Sequence, residues 1–404
     1  MNKEAFDFEN ILGGCDLDAL RLSEGWHNVN LANANSREGQ ELAKEYIEFH
    51  KRLLKKEHMD GLLEPNATYA NERALEFARD SKRLKQAITS IGSVKSRRKN
   101  RVLCTNLSHM SIENACHRLG LDKPIVLEAV PEKGYQVDED ELRRVISRYG
   151  NNIVAVVSTH GTTQLGHIEN LAESDLVKQL REDGAWLHID GAYGGYISQL
   201  STRMYLTFEE NRSIPINAGD TSRFSSRIKD FPEADSITID SYKFIGKAGT
   251  SLLLVDERKK PRYPSAPYYD QSPFTMLSTL PADAIAAWYH TMKNLGKEQG
   301  LKEMADEYVY LTKITANSIK QQTPLSLVIS PQMNIIPVDC VNERISLYFR
   351  KALNEKGFRV GRLNIVGRDY QTHGLRIVIS PKVEYQNIAS SAKRLVTTIN
   401  ELYG

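Results

Sequence analysis

Short apolar runs alternate with amphipathic stretches along most of the chain. Residues 125–130, 153–158, 186–189, 236–239 and 251–255 are continuous, β-branched-rich runs and predict strands, while 138–149 and 170–183 predict helices between them. Continuous apolar strands alternating with helices imply a mainly parallel sheet covered on both faces. On such sheets ligands bind at the carboxyl ends of the strands, so the loops that follow them are where chemistry is expected. Upstream, residues 36–54 place Leu42, Tyr46, Phe49 and Leu53 at helical spacing. Beyond Pro281 a helical stretch leads to strand and helix signals at 334–338, 344–356 and 375–380, which predict a smaller α+β domain joined through a long helix. The expected organisation is a polar, peripheral segment over 1–60, a large domain over 61–290 and a small domain over 291–404.

Composition removes several alternatives. The 404 residues carry 53 Lys+Arg against 51 Asp+Glu, a formal net charge of +2, without the basic excess of a nucleic-acid binder. Cys15, Cys104, Cys116 and Cys340 are scattered and form no CxxC pair, which argues against a disulfide framework and against a metal site. No apolar run approaches the roughly 18 residues of a membrane span. The acidic start MNKEAFDFENILGG has no signal-peptide core, so a soluble, cytoplasmic protein is expected.

Five segments carry candidate chemistry. In DSITIDSYKFIGKAG (235–249) a short strand delivers Lys243 into a Gly-containing loop. A lysine at a strand end is a candidate Schiff-base former because partial burial frees its amine, although a solvated surface lysine has the same local sequence. In LHIDGAYGG (187–195) a strand ends in Asp190, followed by small residues; a buried carboxylate there needs a donor or cation, whether a ligand or a structural partner. STHGTTQLG (158–166) offers hydroxyls after another strand. GLLEPNATYAN (61–71) leads into a helix whose N-terminus suits an anion, or is an ordinary cap by Asn66 or Thr68. In TNLSHMSIENA (105–115), His109 precedes a predicted helix.

Taken together, the order and context of these segments resemble the group II pyridoxal-phosphate decarboxylases, which include bacterial tyrosine, histidine and glutamate decarboxylases. HIDGAYGG and DSITIDSYK, with 53 residues from Asp190 to Lys243, are the most specific parts. The resemblance implies an α/β fold of type I, like the aspartate aminotransferases, with a mainly parallel seven-stranded sheet in the large domain and a small C-terminal α+β domain. It implies pyridoxal 5'-phosphate as cofactor, held as a Schiff base by Lys243, with Asp190 on the pyridinium nitrogen, Ala192 on one ring face and His109 on the other. Thr163 would approach the phenolic oxygen, and Ala67, Thr68 and Tyr242 would lie at the phosphate. Thr279 falls where the family has a serine reaching the neighbouring subunit's phosphate, which implies a homodimer with shared sites. The implied catalytic residues are Lys243, His109 and Asp190.

The implied reaction is decarboxylation of an L-amino acid to an amine, with an aromatic or other bulky side chain favoured. Lys243, His109, Tyr242, Tyr268 and Tyr269 all stand as possible sources of the returning proton. Three departures from the family stand out. Asn66-Ala67-Thr68-Tyr69 replaces Gly-Gly-Thr-Glu, Tyr242 replaces a histidine before the lysine, and Leu280 replaces an arginine. All three surround the expected phosphate, so a lyase or an oxidative decarboxylation-deamination is the competing outcome, and a non-catalytic homologue the third.

Overall fold

The computed structural model of the chain describes residues 37–89, 100–206, 231–245, 249–260, 283–294, 297–358, 360–379 and 385–403. The large sheet contains β1 (Met59–Glu64), β2 (Arg101–Thr105), β3 (Ile125–Leu127), β6 (Ile153–Thr159), β7 (Trp186–Asp190), β8 (Ser236–Ile239) and β9 (Ser251–Asp256). Its seven strands run in the order β1-β9-β8-β7-β6-β2-β3. The pairs from β8 through β3 are parallel, and β9 is antiparallel to both its neighbours. Every residue of β6, β7, β8 and β9 is buried, which is why these segments read as unbroken apolar runs. The seven-stranded, mainly parallel α/β sheet is the expected one, with the single antiparallel strand as its exception.

The run at 125–130 divides. Ile125–Leu127 joins the large sheet as β3, whereas β4 (Ala129–Val130) pairs with β5 (Gln136–Val137) in a separate hairpin. The helix expected over 170–183 is also split, because Ser174 accepts a hydrogen bond from Leu176 N–H and starts a new helix at Asp175–Glu182. The helix Arg37–Leu53 (α1) is not peripheral, contrary to expectation. Ala43, Tyr46 and Ile47 are buried in the main core, and Trp288 packs edge-on against Tyr46 at 4.8 Å between ring centroids. Polar residues on its outer face conceal the depth to which its apolar stripe is buried.

The second sheet, in the order β10 (Ser326–Leu327), β11 (Ile335–Asp339), β13 (Gln371–Val378), β12 (Gly361–Val366), is antiparallel throughout. The helix Lys297–Gln322 serves both cores: Leu301, Ala305 and Val309 pack with the large sheet, Leu311, Ala316 and Ile319 with the small one. No helix among the described residues is long and apolar enough to cross a membrane.

Burial of ionisable groups makes the fold sensitive to acid. His50, His167 and His188 are each lowered to about 4, chiefly because burial penalises the imidazolium. The unfolded chain therefore binds more protons than the native one between about 6.5 and 4, and stability present above that window is lost as pH falls through it. Each buried imidazole contributes on the order of 3 kcal/mol to that loss. Glu169, pushed up to about 7, and Asp240, pushed up to about 6, act with the opposite sign. Three imidazoles outweigh two carboxylates, so the thermal midpoint of the cofactor-free protein should drop between pH 7 and pH 5. A midpoint that rises over that interval contradicts this balance.

Candidate active site

A cavity of about 580 Å³ opens at the carboxyl ends of the parallel strands. Asn66, Ala67, Thr68, Asn71, His109, Thr163, Asp190, Ala192, Tyr242 and Lys243 all line it, as do Thr159, Gly161, Tyr193, Asp240, Arg376 and Val378. Eight of the nine residues that the resemblance assigns to the catalytic and cofactor sites thus line one cavity. Thr279, with Leu280, Tyr268 and Tyr269, lies outside the described residues.

Asp190 ends β7 and is buried. Its Oδ2 accepts from Asn71 Nδ2 at 2.8 Å and its Oδ1 from Ala192 N–H at 3.2 Å, so no cation neutralises it in these bonds. Lys243 closes the single helical turn Ser241–Lys243 that follows β8. The three-residue repeat of that turn brings Nζ back to 3.2 Å from Asp240 Oδ2. Burial is the main cause raising Asp240 to about 6, opposed by the Lys243 charge. Tyr242 is raised first by burial and then by Asp240, and its hydroxyl stays protonated. Ser241 accepts from the Tyr46 hydroxyl at 2.8 Å, which ties α1 to the lysine turn.

His109 is lowered, mainly by burial, with Lys243 adding to the effect and Asp190 opposing it. Its Nδ1 accepts the Ser111 backbone N–H at 3.2 Å and lies 2.9 Å from Ser111 Oγ. The neutral ring therefore keeps its proton on Nε2.

The helix Ala67–Thr89 (α2) presents its N-terminus to the cavity. Asn66 Oδ1 accepts from Thr68 N–H at 3.0 Å and Tyr69 N–H at 3.3 Å, a cap that occupies two of the donors an anion would use. Gly194 and Gly161 serve close backbone packing. A Cβ on Gly194 would stand 2.5 Å from the His160 carbonyl oxygen, and one on Gly161, at φ +93°, 2.6 Å from Gly194. They let the loops after β6 and β7 pack backbone to backbone, and Ala192 with Tyr193 face the cavity instead.

Asn71, Asp240 and Tyr193 were missed from the sequence. Asn71 had one readable signal: it stands three residues after Thr68 and four after Ala67, hence on their helical face. Arg376 and Val378 are two apart on β13 and so share a face. Among the described residues no group of three or more His, Cys, Asp or Glu could hold a metal ion.

Residues 44–220 match the pyridoxal-dependent decarboxylase conserved domain. The chain is 26% identical over 315 residues to an L-2,4-diaminobutyrate decarboxylase of Acinetobacter baumannii, covering 71% of this chain and 56% of that protein's length. It is 25% identical over 386 residues to a probable L-tyrosine/L-aspartate decarboxylase of Methanococcus maripaludis, covering 94% and 90%. The glutamate decarboxylase of Lactobacillus brevis shares the fold, with a TM-score of 0.73 at 14% identity over 100% of this chain and 85% of that one.

Proposed function

We propose that this chain, which belongs to the pyridoxal-dependent decarboxylase family, removes the carboxylate of an L-amino acid as carbon dioxide and releases the amine. The observation that carries the reading is the meeting of Lys243, Asp190, His109 and Thr68 in one cavity. The donor set suits pyridoxal phosphate. A buried carboxylate held only by neutral N–H groups suits a protonated ring nitrogen, a primary amine suits the aldehyde carbon, and a helix N-terminus with a threonine hydroxyl suits the phosphate. Bound there, the cofactor supplies an electron sink for the pair left when carbon dioxide departs.

The protein's own residues do the rest. Lys243 would hold the cofactor through Nζ, and Asp240, 3.2 Å away, would pair with the lysine ammonium when that amine is free. Asp190 keeps the ring nitrogen protonated. His109 and Ala192 would confine the ring between them, Thr163 would face its phenolic oxygen, and Ala67, Thr68 and Tyr242 would hold the phosphate; all of them line the cavity. His109, with its proton on Nε2, and the Lys243 ammonium are described donors suited to returning a proton to the α-carbon. Arg376 supplies the guanidinium that pairs with a substrate carboxylate. Tyr193 and Val378 in the wall favour an aromatic or other bulky side chain. We also propose a homodimer with shared sites, which rests on the sequence resemblance alone.

A panel of L-amino acids scored for carbon dioxide, amine, aldehyde and ammonia tests the reaction. Equal amounts of carbon dioxide and amine are expected, best with an aromatic substrate. Aldehyde with ammonia overturns it in favour of oxidative decarboxylation-deamination, and amino-acid cleavage without carbon dioxide in favour of a lyase.

The Asn66 cap gives a prediction of its own. Phosphate must displace the Asn66 side chain from the Thr68 and Tyr69 amides. Asn66→Gly, which costs a helix end only a few tenths of a kcal/mol, should tighten pyridoxal phosphate binding to the stripped protein by about 10-fold, the worth of roughly one charge-assisted hydrogen bond. Unchanged or weaker binding in an absorbance titration shows that the cap does not compete.

A further inference from the structure

The Asp190 and His109 contacts lead back to one amide. Asn71 is almost wholly buried, and its Nδ2 donates both to Asp190 Oδ2 at 2.8 Å and to Ser111 Oγ at 3.1 Å. Ser111 in turn stands against His109 Nδ1. On its other side, Asn71 Oδ1 is 3.0 Å from His188 Nε2, His188 Nδ1 is 2.8 Å from Ser236 Oγ, and Ser236 Oγ accepts from Trp186 Nε1 at 2.7 Å. The two ends have fixed roles: an indole N–H only donates and a carboxylate only accepts. Asn71 must therefore turn its NH₂ toward Asp190 and its oxygen toward His188, whose Nε2 then carries the proton. His188 Nδ1 is left to accept from Ser236, whose oxygen is already taken by the indole. Every bond points one way, from Trp186 to Asp190.

Resting on the proposed cofactor site, we propose that Asn71 is the positioning residue of that site. Polarised by Trp186, Ser236 and His188, it holds Asp190 as an acceptor for the ring nitrogen with one N–H, and sets His109 over the ring through Ser111 with the other. Because it lies one turn along α2 from Ala67 and Thr68, one helix face fixes the phosphate, the ring nitrogen and the stacking imidazole together.

The test combines pyridoxal phosphate titration of the stripped wild-type protein, Asn71→Leu and Asn71→Asp with ¹⁵N-histidine NMR of the cofactor-free protein, assigned through His188→Gln and His109→Gln. Both rings should carry their proton on Nε2. Asn71→Leu should weaken binding about 10- to 100-fold at every pH, as loss of a partner behind a ligating group does. Asn71→Asp should bind as weakly at pH 8 but recover toward pH 6, where a protonated carboxyl can again donate to Asp190. Circular dichroism and thermal melting confirm that each variant is folded. The proposal is overturned if both variants bind like the wild type, if Asn71→Asp follows Asn71→Leu at all pH, or if His188 carries its proton on Nδ1. A wild-type protein that fails to bind the cofactor refutes the site itself, and the imidazole tautomers then decide alone whether the polarised chain exists.

Discussion

Replacing Lys243 by alanine is expected to remove decarboxylation by a factor on the order of 10⁴ or more, as loss of a covalent nucleophile does in other enzymes. Lys243 is the one amine among the described residues lining the cavity, and the helical turn after β8 holds its Nζ 3.2 Å from Asp240. Without it, an amino acid can still condense with the cofactor, but nothing anchors that cofactor between turnovers. Asp240, raised to about 6 by burial even with the lysine present, loses its cation. The variant should accordingly release pyridoxal phosphate on gel filtration at neutral pH. Activity within about tenfold of the wild type contradicts the assignment and points to Lys247, which lies outside the described residues.

Asp190→Asn is expected to lower turnover by roughly 10² to 10³, the loss seen when one preorganised electrostatic contact is removed. The substitution keeps the size of the side chain while removing the charge that would hold a proton on the ring nitrogen. It also places one amide against another, so that Asn71 Nδ2 faces either an oxygen or a second NH₂ group. Two effects should separate in the kinetics. Substrate condensation with the cofactor survives, because Lys243 is untouched, whereas carbon dioxide release slows. Single-turnover spectra should therefore show normal binding and a slow second phase. An equal loss in both phases means that Asp190 shapes the pocket rather than the electron sink.

Much of this site was legible because its parts sit at strand ends. Asp190 and Lys243 could be read because the strands that deliver them are buried on both faces and stand out as apolar runs. For the same reason the direction of β9 was invisible: a strand covered on both faces looks alike parallel or antiparallel. Asn71 escaped notice since a polar residue inside a helix carries no periodic signal, and its partner His188 lies 117 residues away on another element. Asp240 needed knowledge of the turn, which alone brings positions three apart together. The depth of α1 depends on Trp288, whose place beside Tyr46 and Phe49 arises from tertiary packing.

Attachment of the cofactor to Lys243 is read from the absorption spectrum of the purified protein loaded with pyridoxal phosphate, before and after borohydride, followed by peptide mapping. A visible band that borohydride abolishes, leaving the cofactor fixed on Lys243, is the predicted result. A protein that takes up no cofactor, or one modified on a different lysine, rules out Lys243 as its anchor.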